Sequence, residues 1–432
     1  SALAHQKYIA LNENGVLTRL KKALQEKTLS PTDSVLVREV SKDYEKATKI
    51  PETFVREYSE TVSRAQLVWR EAREKNNFKL FLPHLEKVFT LARKRARLLD
   101  PNKNSYDVLL GEYEPGMTSE TLSVVFEELK KELIFLLQKI KKSKVSIPRL
   151  PKKKFPLAQQ KELVFLLSQH LGFDFSAGCI SESVHPFTSG FHPCDVRFTT
   201  RYSESDPYYA LGSTFHEAGH ALYEQGLPSA YAGTPLAEAA SLGVHESQSR
   251  FWENMVGRNK SFWQFAYPIL KKKFKKQLKG FSVDDYFRSL HRVSNTLIRT
   301  EADEVTYNLH IIVRFEIEKA LVEGSIDVKD LPEIWNQKIK EYLGIRVPND
   351  RLGVLQDVHW SSGGIGYFPT YTLGNIYSAQ LYDAIRKDIP HFDALLEKGD
   401  FAPINEWLRR NIHQYGRRYT PEELIKRATG SM

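Results

Sequence analysis

The 432-residue chain is 41% hydrophobic, 27% charged and 12% aromatic, the make-up of a folded globular protein, which excludes a disordered one. Its formal net charge of +9 comes from basic residues dispersed over predicted helices; clusters such as Lys152-Lys153-Lys154 and Lys271-Lys272-Lys273 read as solvated faces, so a nucleic-acid partner is not expected. Only Cys179 and Cys194 occur, which excludes a disulfide framework or a cysteine zinc site and suits buried reduced thiols in a cytoplasmic protein; no apolar run nears the ~18 residues of a membrane span, and Ser1 to Ala10 shows no export pattern.

A chain of this length favours two lobes with a cleft between them. From about Gly15 to Asp100, apolar residues recur at spacings of three and four, as in Phe54, Tyr58, Val62, Ala65 and Trp69, which predicts long antiparallel helices. Asp100-Pro101 breaks the run and Pro115-Gly116 marks a turn. Thr118 to Lys141 is a further amphipathic helix with the stripe Leu122, Val125, Phe126, Leu129 and Leu133. Ser146 to Pro156, basic and holding three prolines, reads as an exposed connector. A short helix around Gln159 to Leu171 precedes Phe173 to Arg201, where Gly, Pro, Ser and Thr are frequent and β-branched residues come in short runs. That texture predicts a small antiparallel sheet with Asp195 to Thr200 as its last strand.

Helical pattern resumes at Asp206-Pro207, an N-cap followed by proline at the first helical position, and Gly226 with Pro228 supplies a stop. Inside this frame, Phe215-His216-Glu217-Ala218-Gly219-His220 contains H-E-x-x-H. On a helix, His216 and His220 lie one turn apart on one face, so two imidazoles converge on one cation while Glu217 points beside it. That is the ligand-pair-plus-base layout of a zinc hydrolase. Tyr208, Leu211, Phe215, Ala218 and Leu222 form the buried stripe and leave the histidines on an adjoining face. The competing reading is two histidines packed in a core.

Two histidines leave a zinc site one protein ligand short. A metzincin would place a histidine six residues after the second, where Gly226 stands, so that design is excluded. The alternative is a carboxylate on a second helix, which Thr234-Pro235 is predicted to start and which carries Glu238, Glu246 and Glu253. Glu246 lies 246 − 220 = 26 residues beyond His220. Spacing alone does not separate it from His245 or Glu238, and a pairing with Arg250 four residues on is an equally ordinary use for it. Farther along, Arg346 to Pro369 holds Gly-Gly and Pro and is a candidate loop over the site, and Leu373 to Ala428 returns to helix.

Six stretches occur in order: His185-Pro186-Phe187; Asp195 to Thr200 as D-x-R-x-x-T; His216 to His220; His245-Glu246-Ser247-Gln248; Ile298 to Asp303 as I-R-x-x-A-D; and Gly353 to Trp360 as G-x-x-Q-D-x-H-W. With them the chain resembles the thermostable, Taq-type family of zinc carboxypeptidases, gluzincins that remove single residues from peptide C-termini. The resemblance implies a mainly α, two-lobed, neurolysin-like metallopeptidase, with one catalytic unit over residues 1–432 built around a deep central groove. It implies the metal ligands His216, His220 and Glu246, with Glu217 as general base, and Zn2+ that Co2+ can replace. It also implies a homodimer and peptide substrates with a free C-terminus and broad preference for the last residue.

For the terminal carboxylate the resemblance points to Arg299, since a guanidinium fork is the natural partner of a carboxylate. Arg197 is nearly as good on sequence alone, and a salt bridge with Asp303 or Asp195 is the structural alternative. Gln356 joins the substrate-binding set. His185, His359 and Tyr367 occur in irregular segments from which a donor can reach the oxyanion of a tetrahedral intermediate. Family members usually open with a helical segment containing W-D-x-x-T-x-x-P; nothing like it occurs here, so either a shortened member or a sequence lacking its native start is expected. The rival readings are an endopeptidase or aminopeptidase sharing the zinc core, and a non-catalytic helical module that binds anionic polymers.

Overall fold

Polar caps start the helices of this protein at the positions their side chains dictate. Thr118 Oγ1 accepts from the Thr121 N–H at 3.2 Å, and an Asp206 carboxylate oxygen accepts from the Tyr208 N–H at 2.8 Å with Pro207 in the first turn. The computed structural model describes residues 2–431 and is mainly helical with one small sheet. The chain divides into two compact units, one made of residues up to Ser143 with Val293–Tyr371, the other of Lys144–Arg292 with residues from Thr372 onward. No described helix is long and apolar enough to cross a membrane.

In the first unit, Glu52–Glu74 and Phe78–Leu99 pack along one another as the periodicity predicts, burying Phe54, Ala65, Phe81, Leu85, Val88 and Phe89. Helix Tyr307–Glu323 is buried on nearly every side and packs on Phe78–Leu99, Ser119–Lys142 and Leu331–Leu343. Phe315 anchors it by edge contacts with Phe126 and Tyr106, ring centroids 5.1 and 5.8 Å apart. The irregular stretch after Gly344 is tied down by two aromatic donors from Glu52–Glu74. Tyr58 O–H donates to the Gly363 carbonyl at 3.1 Å and Trp69 Nε1–H to the Leu355 carbonyl at 3.1 Å.

In the second unit, helix Pro207–Gly226 packs against Leu157–Leu171, the sheet, and helix Leu242–Arg250. The predicted stripe is buried at Leu211, Phe215, Ala218 and Leu222, with Tyr208 half-buried. Burial extends to Thr214, Gly219, Ala221 and Tyr223, because this helix has neighbours on several sides.

Three expectations change here. The sheet is mixed: β1 (Gly178–Glu182), β2 (Thr188–His192) and β3 (Asp195–Thr200) lie in the order β1-β3-β2. The two-residue turn between β2 and β3 makes that pair antiparallel; the chain has reversed twice by β3, so β1 runs parallel to it along the other edge. Thr234-Pro235 opens only a single 3₁₀ turn, Pro235–Ala237, and the helix that carries Glu246, Leu242–Arg250, starts later, where Ser241 Oγ accepts from the Val244 N–H at 3.0 Å. Glu238 is therefore off that helix and pairs with Arg417 at 2.9 Å. Cys179 and Cys194 are free thiols, but both are exposed, because they lie in and beside the half-covered sheet rather than in the core.

Candidate active site

His216 and His220 stand one turn apart on helix Pro207–Gly226, and Glu246 faces them from helix Leu242–Arg250. His216 Nε2 and His220 Nε2 lie 3.7 and 3.4 Å from Glu246 Oε2, and one donor atom from each of the three residues falls within 4.8 Å of the others. Donors held tetrahedrally at ~2.0–2.2 Å from a zinc-sized cation stand about 3.3–3.6 Å apart, so the three side chains fit a divalent metal.

The surroundings fix the donor atoms. His216 Nδ1 is 2.8 Å from Glu253 Oε2, which aims the Nε2 lone pair at the shared centre. His220 Nδ1 is 2.5 Å from His245 Nδ1, and His245 Nε2 is 2.8 Å from Glu224 Oε1. One assignment satisfies this chain: His245 donates to Glu224 and accepts from His220, leaving His220 Nε2 unprotonated toward the centre. Burial, with the neighbouring His245, lowers the His220 pKa to about 3, so its ring is neutral toward the shared centre. Burial opposes protonation of His216 as well, but Glu246 and Glu253 outweigh it and raise its pKa, so a cation and a proton compete for that ring.

Arg250 completes the frame, its Nε donating to Glu246 Oε1 at 2.7 Å and its Nη1 to Glu253 Oε2 at 3.0 Å. The pairing with Arg250 and the approach to the two histidines thus use different oxygens of Glu246. Burial would raise the Glu246 carboxyl, but Arg250 and the two histidines hold it well below the usual carboxylate range. Glu253 reaches Arg250 and His216 because the helix continues as a π turn, Phe251–Val256, closed by the Gly257 N–H to the Trp252 carbonyl at 2.8 Å.

Glu217 is buried beside these three side chains, and Thr188 at the start of β2 donates its hydroxyl to Glu217 Oε2 at 2.7 Å. Burial raises the Glu217 pKa above its ordinary value, the direction that suits a proton acceptor working near neutrality. Thr188 is a residue the motifs pass over, although it directly follows His185-Pro186-Phe187.

Close backbone approach sets the spacing of helices Pro207–Gly226 and Leu242–Arg250. A Cβ on Gly219 would lie 2.5 Å from the Gln248 carbonyl oxygen and 2.6 Å from Ser249 Cα, and one on Gly374 would lie 2.4 Å from Glu246 Cγ. Gly219→Ala is expected to cost about 1–3 kcal/mol in thermal unfolding and to weaken metal binding in titration, because overpacking pushes Glu246 away from the histidines. Unchanged stability and affinity would show that the helices have slack.

The remaining predicted residues fall into two groups. In the second unit, His185 is exposed in the bend between β1 and β2, its carbonyl accepting from Ser183 Oγ at 2.6 Å. Arg197 is exposed on β3 and engaged side-on by Asp195 at 2.8 and 2.9 Å. In the first unit, Arg299 is buried, its Nε and Nη2 each 3.0 Å from a carboxylate oxygen of Asp357 and its Nη1 3.0 Å from Tyr307 Oη. Asp303 is not its partner; that carboxylate accepts from the Ser294, Val305 and Thr306 N–H groups. Gln356 bridges the turn, accepting from the Arg299 N–H and donating to the Leu297 carbonyl, both at 2.9 Å. His359 Nε2 lies 3.1 Å from Tyr371 Oη, and the Tyr367 ring packs on His359 with centroids 5.3 Å apart. Asp357, Tyr307, Tyr371 and Arg314 belong to this cluster and were not singled out from the sequence, although Asp357 stands inside G-x-x-Q-D-x-H-W.

The whole chain, residues 1–432, matches the family described as Carboxypeptidase Taq (M32) metallopeptidase. Carboxypeptidase 1 of Bacillus subtilis is 44% identical over 403 residues, 93% of this chain and 80% of that protein. Thermostable carboxypeptidase 1 of Thermus thermophilus is 42% identical over 410 residues, 92% of this chain and 80% of that one. A crystal structure of the M32 carboxypeptidase from Deinococcus radiodurans R1 superposes with a TM-score of 0.95 at 41% identity, covering 99% of this chain and 86% of the other. On the strength of the full-length match and of these relatives, the chain belongs to the Carboxypeptidase Taq (M32) metallopeptidase family and is a metallocarboxypeptidase.

Proposed function

We propose that the protein is a zinc carboxypeptidase in which His216, His220 and Glu246 hold the metal, Glu217 is the general base and Arg299 receives the free terminal carboxylate. The observation that carries this reading is the convergence of His216 Nε2, His220 Nε2 and Glu246 Oε2, with the buried Glu217 beside them. When bound, the metal supplies Lewis-acid polarisation of the scissile carbonyl and lowers the pKa of water. Glu217 takes the proton of the attacking water and passes it to the leaving amine, while the Thr188 hydroxyl, on Oε2, holds the carboxylate in register. Arg299 turns its side-on edge to Asp357, so its end-on edge, between Nη1 and Nη2, is the one that meets the substrate. His359, Tyr367 and His185 are the proposed donors toward the oxyanion, Gln356 keeps the Arg299 turn in place, and Arg197 is the second-ranked carboxylate partner.

The reading extends to Co2+ as a substitute metal, broad preference for the last residue, a homodimer, and the cytoplasm, for which the two free thiols speak. It predicts that a peptide with a free C-terminus is hydrolysed while its C-terminally amidated twin is not, because the amide offers Arg299 no anion. Release of the last residue from such pairs, followed by chromatography, tests this. Equal cleavage of both, or internal cleavage, would point to an endopeptidase instead.

A further inference from the structure

Asp357 is shared between two guanidiniums. Arg299 grips it side-on at 3.0 Å through both Nε and Nη2, and Arg314 Nη2 lies 2.9 Å from Oδ2. Arg314 itself is sealed off: it is 1% exposed, and its guanidinium sits against the rings of Trp335, Phe368 and Trp360 at 4.6, 4.6 and 5.1 Å. A side chain so enclosed does not touch a substrate, and whatever it contributes to recognition passes through Asp357.

The charge count around that carboxylate is uneven. His310, one turn before Arg314, is held neutral by burial and by Arg299, its pKa lowered to about 4, and burial lowers His359 to about 3. Glu318, one turn after Arg314, faces away into three donors. Tyr106 O–H and the Gly366 N–H meet Oε1 at 3.0 and 2.6 Å, and Trp360 Nε1–H meets Oε2 at 2.7 Å. Burial pushes its carboxyl up to about 7, so near neutrality it holds only part of a charge. Two guanidiniums thus meet at the one carboxylate of Asp357, with Glu318 as a further, partial counter-charge on the Arg314 side only. Had Arg299 and Asp357 been alone, they would form a neutral pair with little pull on an anion.

We propose that Arg314 is a positioning residue for carboxylate recognition: by sharing Asp357 it leaves Arg299 with net positive charge for the substrate's terminal carboxylate. The inference rests on the assignment of Arg299 made above.

Two variants and one control test it. Arg314→Met keeps the slot between the three rings filled and leaves Asp357 paired to Arg299. It is expected to raise KM for N-acylated dipeptides with a free carboxylate by roughly tenfold with kcat within about twofold, and to weaken inhibition by the product amino acid equally. Arg314→Lys retains the charge but loses the stacked plane, so it is expected to lower Tm while KM stays near wild type. An unchanged KM in Arg314→Met, or a KM raised as much by Arg314→Lys as by Arg314→Met, would overturn the proposal. Should Arg314→Met fail to fold, Arg314→Lys decides alone: a wild-type KM supports it and a raised KM refutes it. The control is the wild-type enzyme on free-acid and amidated peptides. If it does not discriminate between them, the Arg299 assignment fails; if it does and Arg314→Met keeps its KM, only the role of Arg314 falls.

Discussion

Glu217→Gln is expected to retain a full complement of metal while kcat on free-acid dipeptides falls by about 10²–10⁴-fold, the usual contribution of a positioned proton-transfer group. The two halves of that outcome have separate structural causes. Metal is retained because Glu217 is outside the donor trio of His216, His220 and Glu246. Turnover is lost because an amide cannot take the proton, although its oxygen still accepts from Thr188, now at 2.7 Å from Oε2, so the side chain keeps its orientation. Elemental analysis of the purified variant beside a steady-state assay separates the two. Near-normal turnover would show that some other group is the base.

Glu246→Ala is expected to lose both metal and activity. Its carboxylate is the only anionic member of the trio, and it is held by Arg250 at 2.7 Å and by Ser249 at 3.2 Å. Truncation leaves two imidazoles converging on a hole, with Arg250 retaining only Glu253 of its two described carboxylate partners. The cost in metal affinity should exceed the ~10–100-fold typical of losing a residue that merely orients a ligand. Competition against a chelator of known affinity measures this. Metal content equal to wild type after dialysis would exclude Glu246 as a ligand.

How far the site was legible in the sequence depended on how locally each part is encoded. H-E-x-x-H compresses two donors and a base into little more than one helical turn, so the geometry follows from the helix repeat. Glu246 has no such local code. Its distance from His220 leaves His245 and Glu238 open, and only the succession of motifs selects it; the structure places His245 behind His220 and Glu238 outside the ligand helix. Thr188 was out of reach because its contact with Glu217 arises across a strand and a helix that meet only after folding.

The same limit explains the elements that differed. Proline after threonine satisfies a 3₁₀ turn as well as a helix start, so Thr234-Pro235 does not mark where the helix begins, and Ser241 caps it instead. Strand-like composition marks a sheet but carries no information on which strand pairs with which, so the direction of β1 relative to β3 stayed hidden. The cluster around Asp357 draws on residues from three separated stretches, Arg299, Arg314 and Asp357, and its charge sharing is a property of none of them alone.

The π turn after Arg250 makes the metal centre depend on chain length as well as on residue identity. A ladder with one residue more per turn places Glu253 behind His216 while Arg250 still spans both glutamates. Drift in the apolar side chains of Phe251–Val256 leaves that phase intact. Removal of one residue ahead of Glu253 resets every later position by about 100° around the helix axis and parts His216 from its carboxylate. Descendants of this sequence are accordingly bound to keep the number of residues in this segment as well as Glu253 itself.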